Sequence, residues 1–342
     1  MLVGVARTHI PAAVLSAAHA RAAARAERRW DEADRLRDEI EAAGWKIVDR
    51  GTDFALSPAA PPTVEAGGIV RYGASADVPS RLDEPAATEA SVLLVATDWP
   101  ADLDRTLAGL ARHGPPGIPV VIVADGPSAE QDAALDALPR PSPAPAAPAA
   151  PAALDEPEPV GGPEIIRTSE RLGVAAALNA GLRRATGSVV VVLDTSVEPT
   201  GDVVTPLLRT LDDPTVAVAG GWGIVSDDLR RFRDAPVGDV DAIEGYAMAF
   251  RREDAASRGP LDERFRFYRY LDIWWSLVLR DEGEGRRPRR AVAVKLPAVR
   301  HEHRGWSSVP DAERDRLSKR NFYRIIDRFG HRLDLLGGDR SS

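Results

Sequence analysis

The sequence predicts an α/β protein built on a parallel sheet and preceded by a small helical module. Three observations predict it. Apolar strand-like runs alternate with helix-like segments from residue 91 onward. The run at 188–193 holds Val189, Val190, Val191 and Val192 followed by Leu193, an all-apolar strand that suits a sheet covered on both faces. Residues 10–43, by contrast, are rich in alanine, arginine and glutamate, a helix-forming composition.

Composition narrows the function classes. The chain has 342 residues, a hydrophobic fraction of 44% and a charged fraction of 28%, values of a soluble globular protein long enough to bury a sizeable core. It has 0 cysteines, which excludes disulfides and thiolate metal sites and fits a reducing compartment. The net charge of −8 argues against DNA as a partner and disfavours RNA. No apolar run approaches the ~18 residues of a membrane span, and no secretory leader is visible. The expected location is cytoplasmic, with peripheral membrane contact left open.

Residues 1–58 form the first block. Val14, Ala18, Ala22 and Ala26 recur at helical spacing, and so do Trp30, Ala33, Leu36, Ile40 and Ala43. Gly44 ends the second helix. Residues 45–55, with Gly51 at the turn, read as a short hairpin. Residues 59–90 are rich in Pro, Ala and Gly and read as a linker.

The main domain is expected over 91–330. It opens with a strand at 91–97, a helix at 101–113 and a strand at 119–124. A short strand at 165–167, a helix at 172–186 and a strand at 189–194 follow. Further on come strands at 216–220, 246–251 and 291–295, a tryptophan-rich apolar helix at 271–280 and a terminal helix at 311–329. Residues 139–162 are almost pure Pro and Ala and read as a disordered surface insertion. Residues 331–342 are assigned to a tail.

The chemistry concentrates around 172–196. A helix of small residues, with Gly173, Ala177 and Gly181, runs into the valine strand, and that strand ends in Asp194. A carboxylate at a strand's C-terminal end lies where open α/β sheets bind ligands. The glycines serve either helix packing or close approach of a ligand.

Gly173, Ala177, Asn179, Gly181, Gly187 and Asp194 stand at the spacing of a pattern found in the family 2 glycosyltransferases, and the chain resembles that family over about 91–330. The resemblance continues through Asp125, Gly126 and Ser128, through Glu244, Gly245 and Tyr246, through Gly259, Asp262, Glu263 and Phe265, and through Asp272, Arg280 and His303, in the family's order. It implies a GT-A (Rossmann-like) nucleotide-diphospho-sugar transferase fold and a divalent metal, Mn or Mg. It assigns nucleotide-sugar binding to Thr97, Asp125, Gly173, Asn179 and Asp194. Metal binding falls to Asp194 with His301 and His303. Asp272 is the expected general base of an inverting transfer to a hydroxyl acceptor.

The chain departs from the pattern in places. Ala124 stands where an aspartate is common, Leu178 where an arginine is, Ser196 where a second metal-side acid is, and Leu271 and Trp274 where further acids are. These losses keep an alternative open, a catalytically impaired member that binds a nucleotide or a partner. The acceptor is left open between a polysaccharide, a lipid-linked precursor and a small molecule. The first block resembles the C-terminal helical region of cysteinyl-tRNA synthetases over about 10–58. It reads as a reused module that could dock a protein partner, without implying aminoacylation.

Overall fold

The computed structural model describes residues 10–50, 53–58, 61–139 and 162–337. Most of the expected insertion at 139–162, the expected turn at Gly51 and the last five residues of the expected tail lie outside the described residues. The chain divides into two units, Met1–Pro62 and Thr63–Ser342.

The first unit contains α1 (Ala12–Ala26), α2 (Trp30–Ala42), β1 (Trp45–Arg50) and β2 (Asp53–Pro58), the last two paired antiparallel. Its small core is Val14, Ala18, Ile40, Trp45 and Ile47, the helical repeat legible in the sequence plus the inner face of the ribbon. Arg21 is buried and reaches Asp49 at 2.6 Å, which holds that carboxyl below its ordinary range.

The second unit opens inside the expected linker. β3 (Val64–Ala66) and β4 (Ile69–Tyr72) form a hairpin, and β4 pairs in parallel with β7 (Glu164–Thr168). Short strands without alternating burial leave no periodicity to read, so only the sheet edge that accepts them defines them.

The rest of the sheet is assembled from β5 (Thr88–Ala96), β6 (Val120–Ala124), β8 (Gly187–Leu193), β10 (Val216–Gly220), β13 (Gly238–Val240), β15 (Ala247–Arg251) and β16 (Arg290–Ala293). Its order is β13-β16-β10-β15-β8-β5-β6-β7-β4-β3. The left half departs from the expected parallel arrangement, because β15 runs antiparallel to both β8 and β10. A mixed central sheet with β5, β6, β7 and β8 parallel is the result.

Helices cover both faces. Successive residues of β5 point to opposite sides, as a pleated strand requires. Leu93 joins one core layer with Val123, Ala177, Phe250 and Trp274, under α5 (Val174–Leu182), α7 (Arg252–Arg258) and α8 (Leu271–Arg280). Val92 and Leu94 join the other with Leu103, Leu110 and Leu207, under α3 (Pro100–His113) and α6 (Thr205–Leu211). Pro100 begins α3, where a missing N–H costs nothing. Ser128 caps α4 (Ala129–Asp136), its hydroxyl accepting from Gln131 N–H at 3.2 Å.

Gly187 shows what one motif glycine does. A Cβ there would stand 2.2 Å from the Ala90 carbonyl carbon, and Gly187 N–H donates to Ser91 Oγ at 2.7 Å. Backbone cannot give way as a side chain can. Gly187→Ala is expected to cost more than the ~1–3 kcal/mol usual for overpacking, measured as a lower urea midpoint at unchanged m. Gly181 has the same kind of role, its imagined Cβ meeting Leu93 Cδ1 at 2.1 Å, so packing decides that glycine.

The remaining elements flank the strand ends. A ribbon of β9 (Val197–Pro199) and β17 (Ala298–Arg300) follows Asp194, and β11 (Gly223–Ser226), β12 (Phe232–Ala235) and β14 (Ala242–Ile243) form a three-stranded sheet. α9 (Arg304–Ser307) and α10 (Asp311–Phe329) close the unit. The expected tail begins as core, because Leu335 is buried and Gly337 N–H donates to Asp241 at 2.8 Å. No helix among the described residues is long and apolar enough to cross a membrane.

Candidate active site

The C-terminal ends of β5, β6, β7 and β8 meet at one edge of the sheet, and the expected site residues are sorted along it. Asp125 follows β6. One oxygen accepts from Leu172 N–H at 2.7 Å and from the Thr168 hydroxyl at 3.1 Å, and the other accepts from Gly173 N–H at 2.8 Å. The carboxylate thus clasps the turn that starts α5. That turn needs glycine, since Gly173 has φ +106° and a Cβ would stand 2.8 Å from Arg266 Cα. Beside it Asp98 accepts from Ser128 N–H at 3.2 Å and pairs with the exposed Arg171. Thr97 lies at the end of β5, its hydroxyl 3.5 Å from that of Thr195.

Asn179 is not available to a ligand. Its side chain is buried, with Nδ2 donating to Leu261 C=O at 2.9 Å and to Glu263 at 2.9 Å, and Oδ1 accepting from Leu261 N–H at 2.8 Å. The motif asparagine fastens α5 to the 259–265 turn. Asn179→Ala leaves two backbone groups unpaired inside the protein, and about 2–4 kcal/mol of stability should be lost, read by chemical denaturation.

Asp194 begins the second cluster. Its N–H donates to Tyr246 C=O at 2.9 Å, and its Oδ1 accepts from Ser196 N–H at 2.8 Å and from the Ser196 hydroxyl. Its Oδ2 stands 3.3 Å from His303 Nε2. Trp306 N–H donates to His303 Nδ1 at 3.1 Å, so in the neutral ring the proton sits on Nε2, facing Asp194. Burial disfavours the Asp194 charge, but the His303 bond and charge and the two Ser196 bonds outweigh it and lower its pKa. Burial likewise pulls His303 down, and the Asp194 bond and charge outweigh that and raise it.

His301 does not join this cluster. Its Nε2 lies 2.7 Å from Glu198, on the β9–β17 ribbon, and its backbone N–H bonds Ser196 C=O at 2.8 Å. Two residues apart, the histidines would share a face if the strand continued, but β17 ends at Arg300 and His303 caps α9, so the face is lost between them. Among the described residues no group of three or more His, Cys, Asp or Glu could hold a metal; Asp194 and His303 are a pair.

Asp272 stands in the first turn of α8. Tyr270 ahead of it adopts φ +72°, ψ −4°, a left-handed conformation costly for a bulky residue, and the chain turns there into the helix. Asp272 Oδ2 accepts from Gly245 N–H at 3.0 Å and Oδ1 from Ile273 N–H at 2.9 Å. Burial pushes its pKa up against these bonds and the charge of Arg269. Leu271 and Trp274, where family acids are absent, are core, with Trp274 packed on Phe265 at 5.4 Å between ring centroids.

The segment Glu244, Gly245, Tyr246 ties the clusters together. Gly245 binds Asp272 and Tyr246 binds Asp194, so three residues set the two carboxylates on one loop. The sequence reading did not single out Glu244 as a site residue. Its carboxylate pairs with Arg300 at 3.1 Å, and Arg300 lies over the Tyr246 ring at 4.3 Å. Burial raises Glu244, Arg300 opposes the rise and Asp272 adds to it. Its place in the family-like stretch 244–252 was the sequence signal for it.

Residues 91–254 match the family model described as Glycosyl transferase family 2. The chain carries a family 2 glycosyltransferase domain. Among solved structures, the enzyme is similar to the mannosyltransferase PcManGT from Pyrobaculum calidifontis, determined in complex with GDP-Man and Mn2+. That likeness has 19% identity and a TM-score of 0.51 and covers 76% of this chain and 71% of that one. It is also similar to GalNAc-T7, determined with UDP, GalNAc and Mn2+, at 16% identity and TM-score 0.50, over 72% of this chain and 48% of that one. These likenesses show the fold, GT-A with its mixed central sheet. A search of curated proteins finds no match. Nothing in these comparisons supports the resemblance of residues 10–58 to the synthetase module.

Proposed function

We propose that this glycosyltransferase moves a sugar from a nucleotide-diphosphate donor to a hydroxyl acceptor with inversion, using Asp272 as the general base. The observation that carries the reading is the loop 244–246, which holds a carboxyl of raised pKa on one side and the Asp194–His303 pair on the other. The donor's diphosphate belongs at the pair and the acceptor hydroxyl at Asp272, with the sugar carbon between. Asp125 and Gly173 shape the turn beside the nucleoside, and Thr97 lines the strand end there.

A divalent cation fits the pair. Neighbouring ligands on an octahedral ion with bonds of about 2.1 Å stand roughly 3 Å apart, and Asp194 Oδ2 and His303 Nε2 stand 3.3 Å apart. An ion on Nε2 would require the ring proton on Nδ1, where it would face Trp306 N–H, so the ring would have to turn away from that N–H and leave it His303 C=O, at 2.8 Å, as its acceptor. Mg²⁺ and Mn²⁺ sites of this kind use one or two protein ligands and complete the shell with phosphate and water. Such an ion would supply charge to the departing diphosphate.

Thermal stabilisation by a panel of nucleoside diphosphates and nucleotide sugars, with and without manganese, tests the donor site. Guanosine and uridine compounds head the panel, because the similar structures hold GDP-Man and UDP. A ligand at a hundredfold excess over Kd adds about 2.7 kcal/mol. No shift with any nucleotide would sink the donor reading. The replaced acid at Ser196 favours a second reading, a member that binds without turnover. Release of sugar from the stabilising donor separates the two.

A further inference from the structure

Tyr268 has no role in the reaction outlined above, yet its hydroxyl, on a ring packed against His303, is a polar group that the protein leaves unsatisfied. The oxygen is buried and has no hydrogen-bond partner among the described residues. Buried polar groups without a partner are rare, and each calls for a cause. The tyrosine ring lies 4.4 Å from the His303 ring by centroid, tilted by 44°. Gly305 covers the hydroxyl, and a Cβ built on it would stand 2.9 Å from Oη. The glycine therefore leaves the oxygen its seat.

The neighbourhood shows which partner is missing. A phenol is protonated at neutral pH, so the hydroxyl is a donor without an acceptor. Asp194 is the nearby anion, but its Oδ1 is engaged by Ser196 and its Oδ2 faces His303. A phosphate oxygen arriving at the pair would be the acceptor, once the short turn that begins at His303 gives way to it.

We infer that Tyr268 is a donor-binding residue, its hydroxyl donating a hydrogen bond to the distal phosphate of the nucleoside diphosphate. The inference rests on the proposed donor site. It explains why a tyrosine and not a phenylalanine ends the aromatic cluster of Phe267, His303 and Trp306.

Tyr268→Phe in the full chain tests it, with GDP, UDP and the corresponding monophosphates as probes, each with and without manganese. No protein hydrogen bond is lost, so the variant should melt at or above the wild-type temperature. Its affinity for the diphosphate that stabilises the wild type should fall about ten- to hundredfold, the scale of a hydrogen bond to a charged group. Monophosphate affinity should not change. Equal diphosphate affinity in wild type and Tyr268→Phe overturns the inference. So does an equal loss for mono- and diphosphate, which would place the contact elsewhere. A wild type that binds no diphosphate removes the donor site itself, and is seen before any variant is compared.

Discussion

Asp272→Asn should lower turnover by about two to four orders of magnitude while leaving nucleoside diphosphate affinity within about twofold. General-base catalysis contributes on that scale, and the amide keeps the shape of the carboxyl without its basicity. With the amide oxygen in the place of Oδ2, it still accepts from Gly245 N–H, so the 244–246 loop keeps its anchor while Ile273 N–H loses its side-chain acceptor. Single-turnover transfer and a binding titration on the same preparation check the two halves. Retained turnover would remove Asp272 from the proton-transfer role.

The pH behaviour follows from the same group. Asp272 acts only when deprotonated, and burial raises its pKa, so the acid limb of the wild-type rate profile should lie above the ordinary aspartate range. The stability effect has the opposite sense. A carboxyl whose folded pKa is raised holds its proton more tightly folded than unfolded, so the stability it contributes is present at low pH and lost as pH rises through the folded pKa. Asp272→Asn lacks that loss. Its melting temperature should gain on the wild type as pH rises toward neutral, and the two curves should approach each other in acid.

Asp194→Ala should reduce turnover by about two to three orders of magnitude, the cost of removing one group that stabilises developing charge, and should abolish any gain in donor affinity from manganese. Asp194 joins β8 to the rest of the site through Tyr246, Ser196 and His303, so the substitution also exposes the pair's part in stability. Asp194 is lowered and His303 is raised. The pair therefore stabilises in the window between them. Its contribution is lost as pH falls through the lowered Asp194 pKa and lost again as pH rises through the raised His303 pKa. The variant's melting temperature should be flatter across that window. Isothermal titration with manganese and a pH series of melts would show both effects, and a variant that still gains affinity from manganese would move the ion elsewhere.

Legibility differed residue by residue. Asp194 was legible as a carboxylate at the end of a buried strand and Asp272 through the family resemblance of its helix, and the roles given to both belong to the proposed function. His301 and His303 could not be told apart, since two residues of spacing place them on one face only if the strand continues, and β17 stops at Arg300. Asn179 carried the family's pattern and yet serves the fold. A motif records that a residue type is needed, not whether a ligand or a backbone needs it. Glu244 and Tyr268 gave almost no signal, because their meaning depends on partners 56 residues away at Arg300 and on the absence of any partner at all.

The sequence by itself determined the alternation of strands and helices, the valine strand at the centre, the glycines that crowd it, and the places of the two carboxylates, Asp194 at a strand end and Asp272 at a helix start, that form the poles of the proposed site. Those features rest on local periodicity and on residue types whose chemistry admits few environments. Only the tertiary structure decided that 64–72 completes the sheet, that β15 runs against its neighbours, that His303 and not His301 faces Asp194, and that three residues, 244–246, tie the two poles together. The reason is physical. Sheet pairing, burial and hydrogen-bond satisfaction are fixed between segments distant in the chain, and the energy that selects among them appears only when those segments meet.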